Sequence, residues 1–204
     1  MRNLIVATRN KGKYHEIKEI LADMPFNVMS MEDMNLYVDI VENGKTFEEN
    51  SLIKAREVCK LVNEIVIADD SGLEVDYLNG QPGIYSSRFG GENATDREKN
   101  KILLAMLEGV PFEKRKASFV CVIAVVYPEG NYFTVKGTCD GYIGFKPEGR
   151  NGFGYDPLFY MPEYGMTTAQ MEPEEKHKIS HRGKALKLMV EELKKSILFK
   201  HHRG

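Results

Sequence analysis

Residues 117–127 narrow the possible folds of this chain more than any other stretch. They are apolar and β-branched almost throughout, turn at Pro128-Glu129-Gly130-Asn131, and are followed by a second strand pattern over residues 132–138. Such runs separated by a Pro/Gly/Asn cluster read as a β-hairpin. Helix and strand patterns surround it. Residues 4–7 read as a short buried strand, residues 8–13 as a polar turn, and residues 14–21 as a helix with Ile17, Ile20 and Leu21 inward. A second helix is expected from Thr46, where Thr46 and Glu49 have capping-box spacing, through Leu52, Ile53 and Val58. Residues 64–68 form a buried strand pattern that Asp69-Asp70-Ser71-Gly72 is expected to stop. Thr95 and Glu98 repeat the capping-box spacing ahead of Ile102, Leu103, Met106 and Leu107. Leu186, Met189, Val190, Leu193 and Ile197 mark a C-terminal amphipathic helix. This order argues an α/β fold, a mixed sheet flanked by helices.

Composition excludes several function classes. No stretch approaches the about 20 apolar residues of a membrane span, and the short N-terminal apolar run has no signal-peptide pattern. Cys59, Cys121 and Cys139 are far apart and form no CxxC pair, which argues against a disulfide framework or a cysteine zinc site and fits a reducing cytoplasm. The net charge of −2 disfavours a general nucleic-acid binder. That figure hides a division, with nine Lys and Arg against two acids from Lys176 onward and nineteen against twenty-eight before it. Gly44-Lys45-Thr46 imitates the end of a P-loop. Asp39 stands where the first glycine of that motif belongs, so Thr46 is better read as a helix cap.

Four polar clusters sit at the ends of expected elements. In Thr8-Arg9-Asn10-Lys11-Gly12-Lys13 a strand feeds a helix N-terminus, so free amides, hydroxyl and ammonium groups converge as they would on a phosphate. The same residues also read as a solvated N-cap turn. Asp69 and Asp70 follow a buried strand, where a carboxylate suits Mg²⁺ or takes a proton from water. They would face opposite sides if the strand continued, and Asp-Ser-Gly is also ordinary turn chemistry. Glu42, Glu48 and Glu49 are further acids upstream. Asn151-Gly152-Phe153-Gly154-Tyr155-Asp156-Pro157 brings an aromatic face beside a carboxylate, as a stacked base needs, or forms a glycine-rich turn with Phe153 in the core. Residues 174–184 gather cations with His177 and His181. Lys176, Lys178 and Arg182 would repel a metal there, so the stretch reads as an anion- and carbonyl-recognising patch or a basic helix start. The end, Lys200-His201-His202-Arg203-Gly204, reads as a frayed tail. A nucleoside triphosphate with Mg²⁺ is the ligand class that needs all four clusters.

Six segments in order resemble the Ham1/inosine triphosphate pyrophosphatase family. They are Ala7-Thr8-Arg9-Asn10-Lys11-Gly12-Lys13, Thr46-Phe47-Glu48-Glu49-Asn50 with Lys54-Ala55, and Ala68-Asp69-Asp70-Ser71-Gly72-Leu73-Glu74-Val75-Asp76. Pro82-Gly83-Ile84-Tyr85-Ser86-Ser87-Arg88, Gly152-Phe153-Gly154-Tyr155-Asp156-Pro157 and Ser180-His181-Arg182-Gly183-Lys184-Ala185-Leu186 complete them. Arg9 stands where a small residue is frequent in the family. The resemblance implies one elongated α/β domain of two lobes over the whole chain, with an active cleft between them, in a cytoplasmic homodimer, while charge and hydropathy argue against nucleic-acid and membrane partners. It implies Mg²⁺-dependent hydrolysis of ITP, dITP and XTP to the monophosphate and pyrophosphate. Thr8, Arg9, Asn10, Lys11, Gly12 and Lys13 would hold the phosphates. Asp70 would ligate the metal and accept the proton of the attacking water, with Ser71 beside the substrate and Glu42 as the second metal acid. Phe153, Gly154, Tyr155, Asp156, Lys176, His181 and Arg182 would hold base and sugar. A non-catalytic nucleotide sensor and a pyrophosphatase for modified pyrimidine triphosphates are the alternatives.

Overall fold

Strand β1 (Arg2–Val6) pairs in parallel with β2 (Phe26–Ser30) on one side and with β3 (Ile65–Val75) on the other. Parallel partners require crossovers, which α1 (Lys11–Ile20) and α2 (Phe47–Val62) supply. In this computed structural model, which describes residues 2–201 and the side chains of residues 2–195, α3 (Asp96–Met106) follows β3. The hairpin is β4 (Lys116–Val126) and β5 (Tyr132–Ile143), closed by hydrogen bonds between Tyr127 and Asn131 and between Gly130 and Tyr127. Two short antiparallel strands, β6 (Phe159–Met161) and β7 (Met166–Thr167), extend a seven-stranded sheet of order β2-β1-β3-β4-β5-β6-β7. The helices α4 (Pro173–Ile179) and α5 (His181–His201) close the chain. The mixed α/β sheet with flanking helices is therefore the architecture.

The chain divides into two compact units, the first made of Met1–Asp70, Cys121–Gly137 and Arg182–Gly204, the second of Ser71–Val120 and Thr138–His181. In the first, the two-residue period of the strands sorts the core into two layers. Leu4, Val6, Ile65, Ile67, Cys121, Ile123 and Val125 pack with Ile17 and Leu21 of α1 and Leu186, Met189 and Leu193 of α5. Ile5, Ala7, Val66, Ala68 and Ala124 pack with Ala55, Val58 and Cys59 of α2. The second unit has its own core, in which Leu103 and Leu107 meet Val75, Phe119, Ile143, Leu158 and Phe159.

Several expectations need correction. Helix α1 starts at Lys11, three residues early, because the Asn10 side chain accepts the Lys13 N–H and caps it. Strand β3 does not stop at Asp69. It runs through Asp-Asp-Ser-Gly to Val75, where long-range pairing overrides the turn-forming composition. Strand β5 continues past residue 138 to Ile143. His177 and His181 do not share a helix, since α4 ends at Ile179 and Ser180 is extended. The expected caps hold: Thr46 accepts the Glu49 N–H, and Thr95 and Glu98 form a full capping box. The side chain of Ile197, and the tail 200–204 apart from the backbone of residues 200 and 201, lie outside the described residues.

Candidate functional site

Because β3 continues, its two adjacent carboxylates go to opposite faces and meet different cations. Asp69 follows the parity of Ile65 and Ile67, toward α1 and α5, and its side chain is fully buried. Lys13 Nζ lies 2.5 Å from its Oδ1. Arg182 Nε donates to Oδ2 at 2.8 Å, and the Cys121 thiol donates to the same oxygen at 3.0 Å. Arg182 also pairs through Nη1 with the buried Glu16 of α1. Burial works to raise the Asp69 pKa, but the Arg182 and Lys13 charges outweigh it and hold the carboxyl well below its usual range. Burial and the neighbouring Asp69 charge push the Cys121 thiol far up, so it stays protonated and serves as a donor.

Asp70 follows Val66 and Ala68, toward α2. Lys54 of α2 reaches it, with Nζ 3.0 Å from Asp70 Oδ1 and 2.9 Å from Glu42 Oε2. Burial raises the Asp70 pKa above the ordinary carboxylate value, and Lys54 and Lys13 offset this only in part. Lys54 has its own pKa raised. Its burial penalty is outweighed by the two carboxylates that share its ammonium. The other Asp70 oxygen, Oδ2, is buried and has no hydrogen-bond partner among the described residues.

That orphaned oxygen bears on Mg²⁺. A hard cation takes carboxylate oxygens, and Mg²⁺ commonly binds through one or two carboxylates with water and substrate phosphate completing its shell. Asp70 with an unused lone-pair oxygen, and Glu42 tied to the same ammonium, fit such a site. Among the described residues no three His, Cys, Asp or Glu gather into an all-protein cage.

The phosphate-loop residues lead from β1 into α1. Asn10 and the Thr8 hydroxyl build the cap, with Asn10 N–H donating to Thr8 Oγ1 at 3.2 Å. The first amides of a helix have no intrahelical acceptor, so those of Lys11 and Gly12 are presented at the positive end of α1. Arg9 turns to residues 38–39, donating to Asp39 Oδ1 at 2.9 Å and to the Val38 carbonyl.

The second unit gathers the Phe153 loop. Asp156 Oδ2 accepts Lys176 Nζ at 2.7 Å and the Phe153 N–H at 2.9 Å, while its Oδ1 accepts the Thr168 hydroxyl at 2.9 Å. A side chain at position 152 would place its Cβ 2.1 Å from Asp156 Oδ2, and φ there is +74°, so only glycine fits. Lys176 Nζ lies 5.3 Å from the Phe153 ring centroid, over its face. Tyr155 is a core residue whose hydroxyl donates to the Ser86 carbonyl at 2.9 Å. His181 stacks on Phe119 with centroids 4.7 Å apart. Ser71 is half-buried on β3, directly after Asp70.

The structure thus brings Lys13, Asp70, Glu42 and the loop 8–13 together in the first unit, and Phe153, Gly154, Asp156 and Lys176 together in the second. It places Arg182 in the first unit, with Nε and Nη1 on Asp69 and Glu16. Residue types and spacing alone do not point to Asp69's cation pairs, to Glu16 or to Lys54 as parts of the site. Lys54 carried a usable signal, since it lies on the stripe Phe47, Asn50, Ser51, Lys54, Ala55, Val58 that α2 buries. A lysine at an inward helical position must find carboxylates.

The chain is 49% identical over 193 residues to a dITP/XTP pyrophosphatase of Geobacter sulfurreducens, covering 95% of this chain and 97% of that protein. It is 53% identical over 183 residues to one of a Thermoanaerobacter species, covering 90% and 92%. The solved Ham1 protein of Staphylococcus aureus superposes with a TM-score of 0.85 at 42% identity, over 96% of this chain and all of that one. A HAM1 protein from Coxiella burnetii gives 0.86 at 40% identity, with the same coverage. The Ham1 family model spans residues 4–192, taking in the loop 8–13, both β3 carboxylates and the Phe153 loop, and on that match the chain belongs to the Ham1 family.

Proposed function

We propose that this protein hydrolyses ITP, dITP and XTP to the monophosphate and pyrophosphate, with Mg²⁺, and so clears deaminated purines from the nucleotide pool. The observation that carries the reading is Asp70, a buried carboxylate of raised pKa with one oxygen on Lys54 and the other unpaired. The names of the relatives, dITP/XTP pyrophosphatases, support the substrate class. In the reaction water adds at the phosphorus next to the sugar, the bond to the terminal diphosphate breaks, and the water proton passes to Asp70. Burial makes the metal-free Asp70 a stronger base than an ordinary carboxylate, a basicity that Mg²⁺ bound to it would lower. Lys13 and the α1 amides hold phosphate oxygens, and Lys54 balances charge at Asp70 and Glu42. Mg²⁺, when bound by Asp70 and Glu42, supplies neutralising charge for the triphosphate.

Base recognition falls to the second unit. The Phe153 face suits a stacked purine, and Lys176 and His181 offer donors to the 6-keto oxygen of hypoxanthine or xanthine. Adenine presents an amino donor there, and a site built around such a hydrogen bond discriminates by about 10⁴ or more. Incubation with ITP, XTP, dATP and GTP plus Mg²⁺, with assay of pyrophosphate, tests the reading. Turnover of ITP and XTP far above the other two is expected, whereas equal turnover of all four, or orthophosphate as product, removes it. A cytoplasmic homodimer is part of the same proposal, and sedimentation velocity at micromolar protein is expected to show a dimer. A monomer would withdraw that part alone.

A further inference from the structure

Helix α3 carries two polar residues one turn apart, and both bond to a single residue of the Phe153 loop. Asp96 Oδ2 accepts the Gly154 N–H at 2.7 Å, and Asn100 Nδ2 donates to the Gly154 carbonyl at 3.0 Å. Positions i and i+4 share a helix face, which lets one face take both polar groups of one residue.

Three features separate this from routine helix packing. The main supports of α3 lie elsewhere, since Thr95 and Glu98 cap it and Leu103 and Leu107 anchor it in the core, while Asp96 adds a first-turn charge and a 3.3 Å pair with Lys99 that Gly154 does not share. Gly154 has φ +65°, and a Cβ there would meet nothing within 4 Å, so crowding does not set its conformation. Glycine populates many backbone states when nothing holds it. Asn100 is 5% exposed, yet its Oδ1 has no hydrogen-bond partner among the described residues. An orphaned buried acceptor lowers stability, so the amide stays at a cost, as groups serving a site do.

Gly154 directly follows Phe153. The Phe153 N–H is already held by Asp156 Oδ2 at 2.9 Å, and the next N–H is held by Asp96. With both flanking amides tied, the backbone that aims the Phe153 ring is fixed from two sides, by Asp156 below Lys176 and by α3. We propose that Asp96 and Asn100 are positioning residues for base recognition: they clamp Gly154 so that the Phe153 ring is already oriented for a stacked purine. The inference rests on the proposed purine-nucleotide reading and adds to it two residues outside the loop, on a helix with no assigned part in the site.

Asp96→Ala, Asn100→Ala and the conservative Asp96→Asn test it in the full-length protein. Three readouts apply: amide hydrogen exchange at Gly154, calorimetric binding of inosine monophosphate, and the separate KM and kcat for ITP. Both alanine variants are expected to speed Gly154 exchange and to raise KM and the inosine monophosphate Kd about tenfold, with kcat within about twofold. Asp96→Asn keeps an oxygen for the Gly154 N–H and is expected to stay close to wild type in all three. Asp96 is half-exposed, so its variants carry the test alone if Asn100→Ala does not fold. Faster exchange with unchanged KM and Kd, or unchanged exchange, overturns the inference while leaving the proposed function standing. Wild-type protein that neither binds inosine monophosphate nor hydrolyses ITP removes both.

Discussion

Asp69→Asn is expected to cost about 3–5 kcal/mol of folding stability, because it removes one partner from a buried charge group and leaves cations behind. The wild-type carboxylate is fully buried and takes Lys13 at 2.5 Å, Arg182 at 2.8 Å and the Cys121 thiol at 3.0 Å. An amide at that place has one acceptor oxygen for three donors and turns an NH₂ toward one of them. Arg182 keeps Glu16, but Lys13 is left largely buried without the Asp69 charge. Urea unfolding at pH 7 reads the loss, with the slope unchanged if only stability has moved. The pH dependence gives a second check. Asp69's folded pKa is depressed, so its stabilisation is fully present above the unfolded value of about 3.9 and disappears as pH falls toward the folded one. The gap between wild type and variant is therefore widest above about pH 4 and narrows on acidification. A gap below about 1 kcal/mol at pH 7, the size of an exposed ion pair, would mean that the cations find other partners. Catalysis is expected to fall as well, through a raised KM for ITP, since Lys13 loses the anchor that aims it.

How much of this was legible in the sequence depends on the range of the interaction. The caps at Thr46 and Thr95, the hairpin and the amphipathic α5 are local, set by spacing and turn chemistry within a few residues, and they form where expected. Strand β3 is different. Asp-Asp-Ser-Gly is turn-forming by itself, and only pairing in a sheet whose other strands lie far away in sequence carries it on to Val75. Once the strand continues, alternation separates the two carboxylates, but their cations come from residues 13, 54 and 182, and no local pattern reports that meeting. Arg182 shows the same limit. Its neighbours in sequence suggest an anion patch, while the fold points Nε and Nη1 at Asp69 and Glu16. The Phe153 loop was recognisable from its glycines, yet its hold on Asp96 and Asn100 spans more than fifty residues of chain.

Asp70→Asn is expected to do the opposite of its neighbour: hydrolysis falls by about 10² to 10⁴, the usual contribution of a positioned acid or base, while folding stability is kept or gained. The two environments are opposite in sign. Asp69 is held in its charged form by two cations, whereas burial dominates at Asp70 and raises its pKa, so the charged form there works against the fold. An amide removes that burial penalty. Lys54 loses one carboxylate but keeps Glu42 at 2.9 Å, so no unpaired cation is left. Groups that serve chemistry often carry such a cost, and removing them commonly trades activity for stability. Pyrophosphate release from ITP, thermal unfolding in EDTA, and calorimetric binding of ITP to the variant form the necessary set. Retained binding with lost hydrolysis separates a catalytic carboxylate from a nucleotide sensor, in which Asp70 would have no proton to accept. A variant that loses stability as Asp69→Asn does would place Asp70 with the structural charges instead. One that still hydrolyses ITP at near the wild-type rate would take the proton-accepting role away from it.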